Sequence, residues 1–211
     1  MKTADDFWNV IGLYNSQTIY YQIALIVIGI FIVGLLYFKK SDIARALLNM
    51  YFSFSFAWIG AIFFLANDKS TIGLFFAAPL FIALSILFMI DVFRKKNHYS
   101  FPKDKLKKKL SFISIIIFLL YPAISILIGH RYPEITTLIM PCPLTVFAII
   151  MLSMSIPKIN RYIYILLLIW AITGLPKIFM FNVPEDILLF ISGLVGIFLL
   201  VINWKKLHKQ M

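Results

Sequence analysis

Apolar residues run along this chain in stretches of about twenty, separated by short polar, basic or proline-bearing segments. About twenty helical residues, rising 1.5 Å each, cross a hydrocarbon core of roughly 30 Å. The runs are rich in Leu, Ile and Phe and lack period-two alternation, which excludes a barrel. Lipid satisfies no backbone N–H or C=O group, so helices remain. The pattern predicts an all-α bundle of seven transmembrane helices in a single membrane domain, residues 1–211, with spans near 18–38, 43–66, 71–93, 110–128, 136–156, 162–181 and 187–204. Ahead of the first span, Thr3 is placed to cap a short helix with Asp5 and Asp6 in its first turn. Phe7, Val10, Ile11 and Tyr14 then share one face, and Trp8 and Tyr14 suit a headgroup boundary. They predict a short N-terminal helix lying on the membrane surface.

Polar positions interrupt these runs in interpretable ways. Asn15, Thr18 and Gln22 are three and four apart, one stripe on the first helix that should face other helices rather than lipid. Ser41 is a good N-cap for the second span, and Asn49, Ser53 and Ser55 read as interhelical packing. Residues 67–70 form a turn. Asp91 lies four residues before Lys95 and is expected to pair with it. Pro122 falls inside the fourth span, and Ser192 with Gly196 makes a small-xxx-small pair in the last.

Charge adds direction to the pattern. The chain is 62% hydrophobic and only 14% charged, against about a quarter charged in a soluble domain. Its net charge is +11, and the basic residues flank spans, which points to anchoring at a membrane surface rather than to nucleic acid. With seven spans, Lys39, Lys40, Arg45, the eight basic residues from Arg94 to Lys109, Lys158, Arg161, Lys205, Lys206 and Lys209 fall on one side. Lys2, Lys69, Arg131 and Lys177 fall on the other. The asymmetry predicts an external N-terminus and a cytoplasmic C-terminus in the cell membrane, with anionic lipids as partners of the basic loop 94–109. The acidic start of the chain and the absence of a cleavage site lead us to expect no secretory signal. A single cysteine excludes an intrachain disulfide and any Cys-x-x-Cys pair. No Gly-rich phosphate loop occurs. The sequence names no cofactor and no protein partner.

Candidate chemistry gathers around Gly129-His130-Arg131-Tyr132-Pro133-Glu134 and Pro141-Cys142-Pro143. The two prolines of the second stretch each lack an N–H, so a regular helix cannot run through them undisturbed. Either a kinked span starts near Thr136, or the helix starts at about Pro141 and the residues before it approach irregularly. Irregular backbone at that depth must be covered by protein or line a wet cavity. In the second case Cys142 sits at a helix N-terminus. His130, Tyr132, Glu134, Cys142, Lys177, Glu185, Asp186, Asn15 and Gln22 are the candidate ligand-binding residues. His130 and Cys142 are the candidates for catalysis or for a soft metal.

The motifs Gly129-His130-Arg131-Tyr132-Pro133 and Pro141-Cys142-Pro143-Leu144-Thr145-Val146-Phe147 resemble those of an uncharacterised bacterial family of multi-pass membrane proteins, a domain of unknown function. Tyr14-Asn15 and Val183-Pro184-Glu185-Asp186 extend the resemblance over almost the whole chain. The family pattern carries a second Thr where this chain has Leu144 or Val146. The resemblance implies the fold and carries no activity.

Three functions compete on this reading. One is an outward-facing polar site that binds or transports a small solute or soft metal ion. A second is a membrane-embedded enzyme with Cys142 as nucleophile and His130 as base. The third is a structural subunit of a membrane complex. The first is preferred, because the polar candidates come from remote segments and fall on one side of the expected bundle.

Overall fold

The computed structural model describes residues 3–39 and 41–208, and every regular element among them is helical. Lys2, Lys40 and Lys209, which entered the charge reading, lie outside the described residues. Thr3 caps α1 (Ala4–Lys39) reciprocally: the Asp6 amide donates to Thr3 Oγ1 and the Thr3 amide to Asp6 Oδ2, each at 3.2 Å. The 36 residues of α1 run without a break, so the separate surface helix expected before the first span is absent. No Gly or Pro interrupts residues 13–28, and Ser16 and Thr18 turn their hydroxyls back onto the carbonyls of Gly12 and Tyr14 within the helix. The apolar face around Phe7, Trp8 and Ile11 packs on protein instead, with the Phe7 ring stacked on Phe181 at 4.9 Å.

Ser41 caps α2 (Asp42–Asp68), accepting from the Ala44 amide at 3.1 Å. From Ile59 the turns of α2 widen to π-helical and end at Lys69 in a left-handed conformation. A tight return leads into α3 (Gly73–Arg94), which packs closely on α2. A Cβ on Gly60 would meet Ile82 Cγ1 at 2.9 Å, and Ser53 Oγ donates to the Ser85 carbonyl at 2.9 Å. Asp91 does not pair with Lys95. It is fully buried and accepts from Asn49 Nδ2 at 3.1 Å, the Asn97 amide at 2.9 Å and Asn160 Nδ2 at 3.4 Å. Three uncharged donors suit a buried carboxylate, whereas Lys95 sits past the end of α3 in a left-handed turn and is exposed.

Helices α4 (Lys105–Leu119) and α5 (Tyr121–Ile128) form a pair bent by 51°. The bend follows from Pro122, which has no N–H to bond the preceding turn and whose ring crowds the carbonyl four residues back. Gly129, at φ +118°, closes α5, and residues 130–140 then run without regular structure. Helix α6 starts at Pro141 and covers only Pro141–Ser153. After an irregular return, α7 (Arg161–Phe181) is capped by Asn160 and loosens at Thr173. A single 3-10 turn, Pro184–Asp186, leads into α8 (Ile187–His208). The close approach of α8 to α7 uses Gly193 and Gly196 rather than Ser192, whose hydroxyl bonds the Leu189 carbonyl.

The expected seven spans are therefore corrected. Among the described residues, five helices, α1, α2, α3, α7 and α8, are long and apolar enough to cross a membrane, and the bent α4–α5 pair makes six if it counts as one. The stretch read as a span at 136–156 fails because its first five residues are irregular. The 13 residues that follow rise only about 20 Å, short of a core of roughly 30 Å. Helix α6 is apolar all round because it is enclosed by protein: ten of its residues are buried, and it packs against α8, α7, α4 and α2. The orientation expected from the loop charges rested on seven alternations, so it does not follow from this helix count. The outer surface is the inverse of a soluble protein's. Tyr20, Ile23, Val27 and Phe31 on α1, and Leu194, Phe198 and Val201 on α8, are all exposed. The chain is a multi-pass helical membrane protein.

Candidate functional site

The irregular segment 130–140 is what the rest of one end of the bundle is built to hold. Its carbonyls need partners that helical backbone would have supplied. Asn15 Nδ2 donates to the carbonyls of Pro133 at 2.6 Å and Ile135 at 2.8 Å, and Tyr14 OH donates to that of Ile139 at 2.7 Å. Trp58 Nε1 in turn donates to Tyr14 OH at 3.2 Å. Gln22 Nε2 reaches Asn15 Oδ1 and Thr18 Oγ1, and the Thr137 hydroxyl donates to Gln22 Oε1. The polar stripe of α1 thus substitutes for missing secondary structure.

A second buried network lies across the segment, where α5, α6 and the α7–α8 turn meet. Glu185 Oε1 accepts from Ser125 Oγ at 2.8 Å and Thr136 Oγ1 at 2.7 Å. Its Oε2 is buried without a partner among the described residues. Asp186 accepts from Tyr121 OH at 3.3 Å on Oδ1 and from Cys142 Sγ at 3.1 Å on Oδ2. Lys177 Nζ donates to Cys142 Sγ at 3.3 Å and stands 3.8 Å above the centre of the Trp170 ring. The thiol therefore lies between an ammonium and a carboxylate, so that Lys177, Cys142, Asp186 and Tyr121 form one continuous chain of polar contacts. Local sequence explains the positions of the cysteine and the two acids. Pro141 begins α6, which puts Cys142 in its first turn, and Pro184 begins the 3-10 turn, which points Glu185 and Asp186 inward.

Cys142, Lys177 and Asp186 also line a cavity of about 390 Å³. Its other walls are mainly apolar, with Phe63, Phe64, Ala77, Met140, Trp170 and Phe181, and the turn at Asp68 and Lys69 borders it. Among the described residues, no group of three or more His, Cys, Asp and Glu side chains is arranged to hold a metal ion.

A family model described as a family of unknown function (DUF6064) matches residues 4–210. The chain belongs to that family. No curated protein and no solved structure matches it.

The family assignment spans both motifs that carried the resemblance, and the structure distributes their residues unequally. Cys142, Lys177 and Asp186 come together, with Glu185 beside them. His130 goes elsewhere. Its ring stacks on Trp8 with centroids 3.7 Å apart, while Trp8 Nε1 donates to the Phe181 carbonyl at 3.1 Å. His130 Nε2 is buried and has no partner among the described residues. Glu134 is exposed and packs over Gly12, whose added Cβ would lie 3.2 Å from Glu134 Cγ, and Tyr132 is exposed. Sequence reasoning missed Tyr121, Ser125, Thr136 and Trp170. Tyr121 and Ser125 are four apart on α5, a spacing that could have marked them as one polar face aimed at the two acids.

Proposed function

We propose that this protein binds or transports a small amphipathic solute at the cell membrane, in the cavity bordered by Lys177, Cys142 and Asp186. The observation that carries the reading is a cavity of about 390 Å³ with aromatic and aliphatic walls and charged groups at Lys177, at Asp186 and at the turn of Asp68 and Lys69. Pockets that enclose small molecules occupy roughly 300–1,000 Å³ and pair apolar lining with a few placed polar groups. Ionisable side chains within membrane helices are costly, and where they persist they usually mark substrate or ion pathways. Among the described residues, Cys142 is the one hydrogen-bond partner of the Lys177 ammonium. That leaves a donor for an acceptor group on the solute, whose apolar body would lie against Phe63, Phe64 and Phe181.

The soft-metal form of this reading has less support, since the nearby donors are one thiol and one carboxylate rather than a set of three. The Cys142–His130 enzyme reading is likewise weakened. The sulfur is engaged by Asp186 and Lys177, and the imidazole by Trp8. We also take residues 1–211 as one membrane domain, because a single contiguous core runs from Trp8 to Leu207.

Because Cys142 is the chain's single cysteine, its alkylation reports on the cavity directly. Octanoate should slow the reaction of N-ethylmaleimide with Cys142 in nanodiscs, and octylamine should do so less. Lys177→Met should weaken the octanoate effect about tenfold, since a hydrogen bond to a charged group contributes roughly 1.5–3 kcal/mol. Equal protection in wild type and variant, or protection by neither probe, would remove the proposal.

A further inference from the structure

At the opposite end of the bundle a second cleft, of about 480 Å³, is lined by Arg94, Lys95, Lys96, Lys158, Arg161 and Tyr162 among others and, among the described residues, by no Asp or Glu. Its cations come from two segments some sixty residues apart in sequence, the end of α3 and the entry to α7. Bringing like charges together costs free energy, so something must hold them. The structure shows what does. The His98 amide donates to the Lys158 carbonyl at 3.0 Å, and the Asn160 amide to Asn97 Oδ1 at 2.7 Å. Asn160 Nδ2 and the Asn97 amide both reach the Asp91 carboxylate beneath. A buried network with its acceptors already committed thus braces a cationic cleft open to solvent. A basic run that was merely a solvated face would need no such brace. The first turn of α7 adds the positive end of its dipole. Leu207 also lines the cleft, and exposed Trp204 one turn before it, with exposed Phe93 beside Arg94, puts the cleft at the edge of the apolar belt.

We infer that this cleft binds a phosphate-bearing anion, supplied either by a lipid headgroup or by free phosphate. Arginine offers a planar fork that matches phosphate oxygens, and the lysines add point charges around it. This inference is independent of the cavity at Cys142 and stands if that reading fails.

The test compares wild type with Lys96→Gln/Lys158→Gln/Arg161→Gln. A control carries the same charge change at Lys103, Lys105 and Lys109, which are exposed and do not line the cleft. Full-length protein is placed in nanodiscs of equimolar phosphatidylglycerol and phosphatidylcholine, and retained lipid is counted by native mass spectrometry. Preferential retention of phosphatidylglycerol, lost about tenfold in the cleft variant and kept in the control, supports the site with a lipid as its source. In phosphatidylcholine alone, a rise in unfolding midpoint with inorganic phosphate, seen in wild type and absent in the cleft variant, supports the site with free phosphate as its source. Equal losses in cleft variant and control, or no preference by either measure, overturn the proposal. Should the triple variant not fold, Lys158→Gln alone, at an exposed side chain, is expected to lower retention about threefold, and unchanged retention overturns the inference.

Discussion

Individual polar side chains in this protein mostly complete the backbone's hydrogen bonding. Asn15 shows this most directly, because one amide group serves two carbonyls of a segment that has no secondary structure. Asn15→Ala should therefore cost about 1–3 kcal/mol through acceptors left unpaired. It should also speed tryptic cleavage at exposed Arg131, and a cleavage rate equal to wild type would contradict this role. Tyr99, in the polar loop between α3 and α4, donates to Asn49 Oδ1 at 2.7 Å and accepts from Asn97 at 3.3 Å. Burial, and secondarily the Asp91 carboxylate, push its phenol well above the ordinary value of 10.0. A raised folded-state value means that the folded protein holds this proton more tightly than the unfolded chain does. The resulting stability is fully present below about pH 10 and is lost as pH rises from there toward the folded-state value. Unfolding midpoints of wild type should fall through this alkaline window, and Tyr99→Phe should fall less steeply.

Elements are set by their punctuation. Thr3, Ser41 and Asn160 cap as their residue types dictate, Pro122 bends the α4–α5 pair, and Pro141 starts α6 where proline is best tolerated. The spacing of small residues was harder to read. Ser192 and Gly196 are four apart, yet the contact uses Gly193 and Gly196, because the facing side chains of α7 determine which row of α8 comes closest. A Cβ on Gly193 would lie 2.8 Å from Ala171 Cβ, which has no rotamer by which to yield. Gly193→Leu should therefore force α7 from α8 and destabilise the protein by about 1–3 kcal/mol. Since α7 carries Lys177 and the turn into α8 carries Asp186, the same change should speed alkylation of Cys142. Gly34→Leu, with nothing within 4 Å of its added Cβ, should do neither.

On the scale of the whole molecule, two kinds of surface divide the work. The long helices turn Leu, Ile and Phe outward, and the polar groups lie inside or at the two ends. Phe31, 64% exposed within the apolar run 23–36 of α1, should tolerate Leu. Phe31→Arg should lower membrane insertion of α1, since a central Arg costs about 2.5–3.5 kcal/mol on insertion scales; a glycosylation or protease-protection assay of insertion would check it. Within this envelope α6 is a buried helix reached through irregular chain. That arrangement is allowed because α2, α4, α7 and α8 enclose the helix and α1 bonds the carbonyls of the irregular segment.

Sequence alone determined what depends on composition and short spacing. Apolar runs in a medium without hydrogen-bonding partners must be helices, caps act on the next turn, and proline acts on the preceding one. Motif residues over the whole chain were enough to recognise the family. Tertiary structure decided which apolar run was short and enclosed rather than spanning, since an apolar residue facing protein and one facing lipid look the same in a string of letters. It also decided that Cys142 meets Lys177 and Asp186 while His130 stacks on Trp8, because partners tens of residues apart are chosen by how the helices pack, and neither periodicity nor capping carries that information.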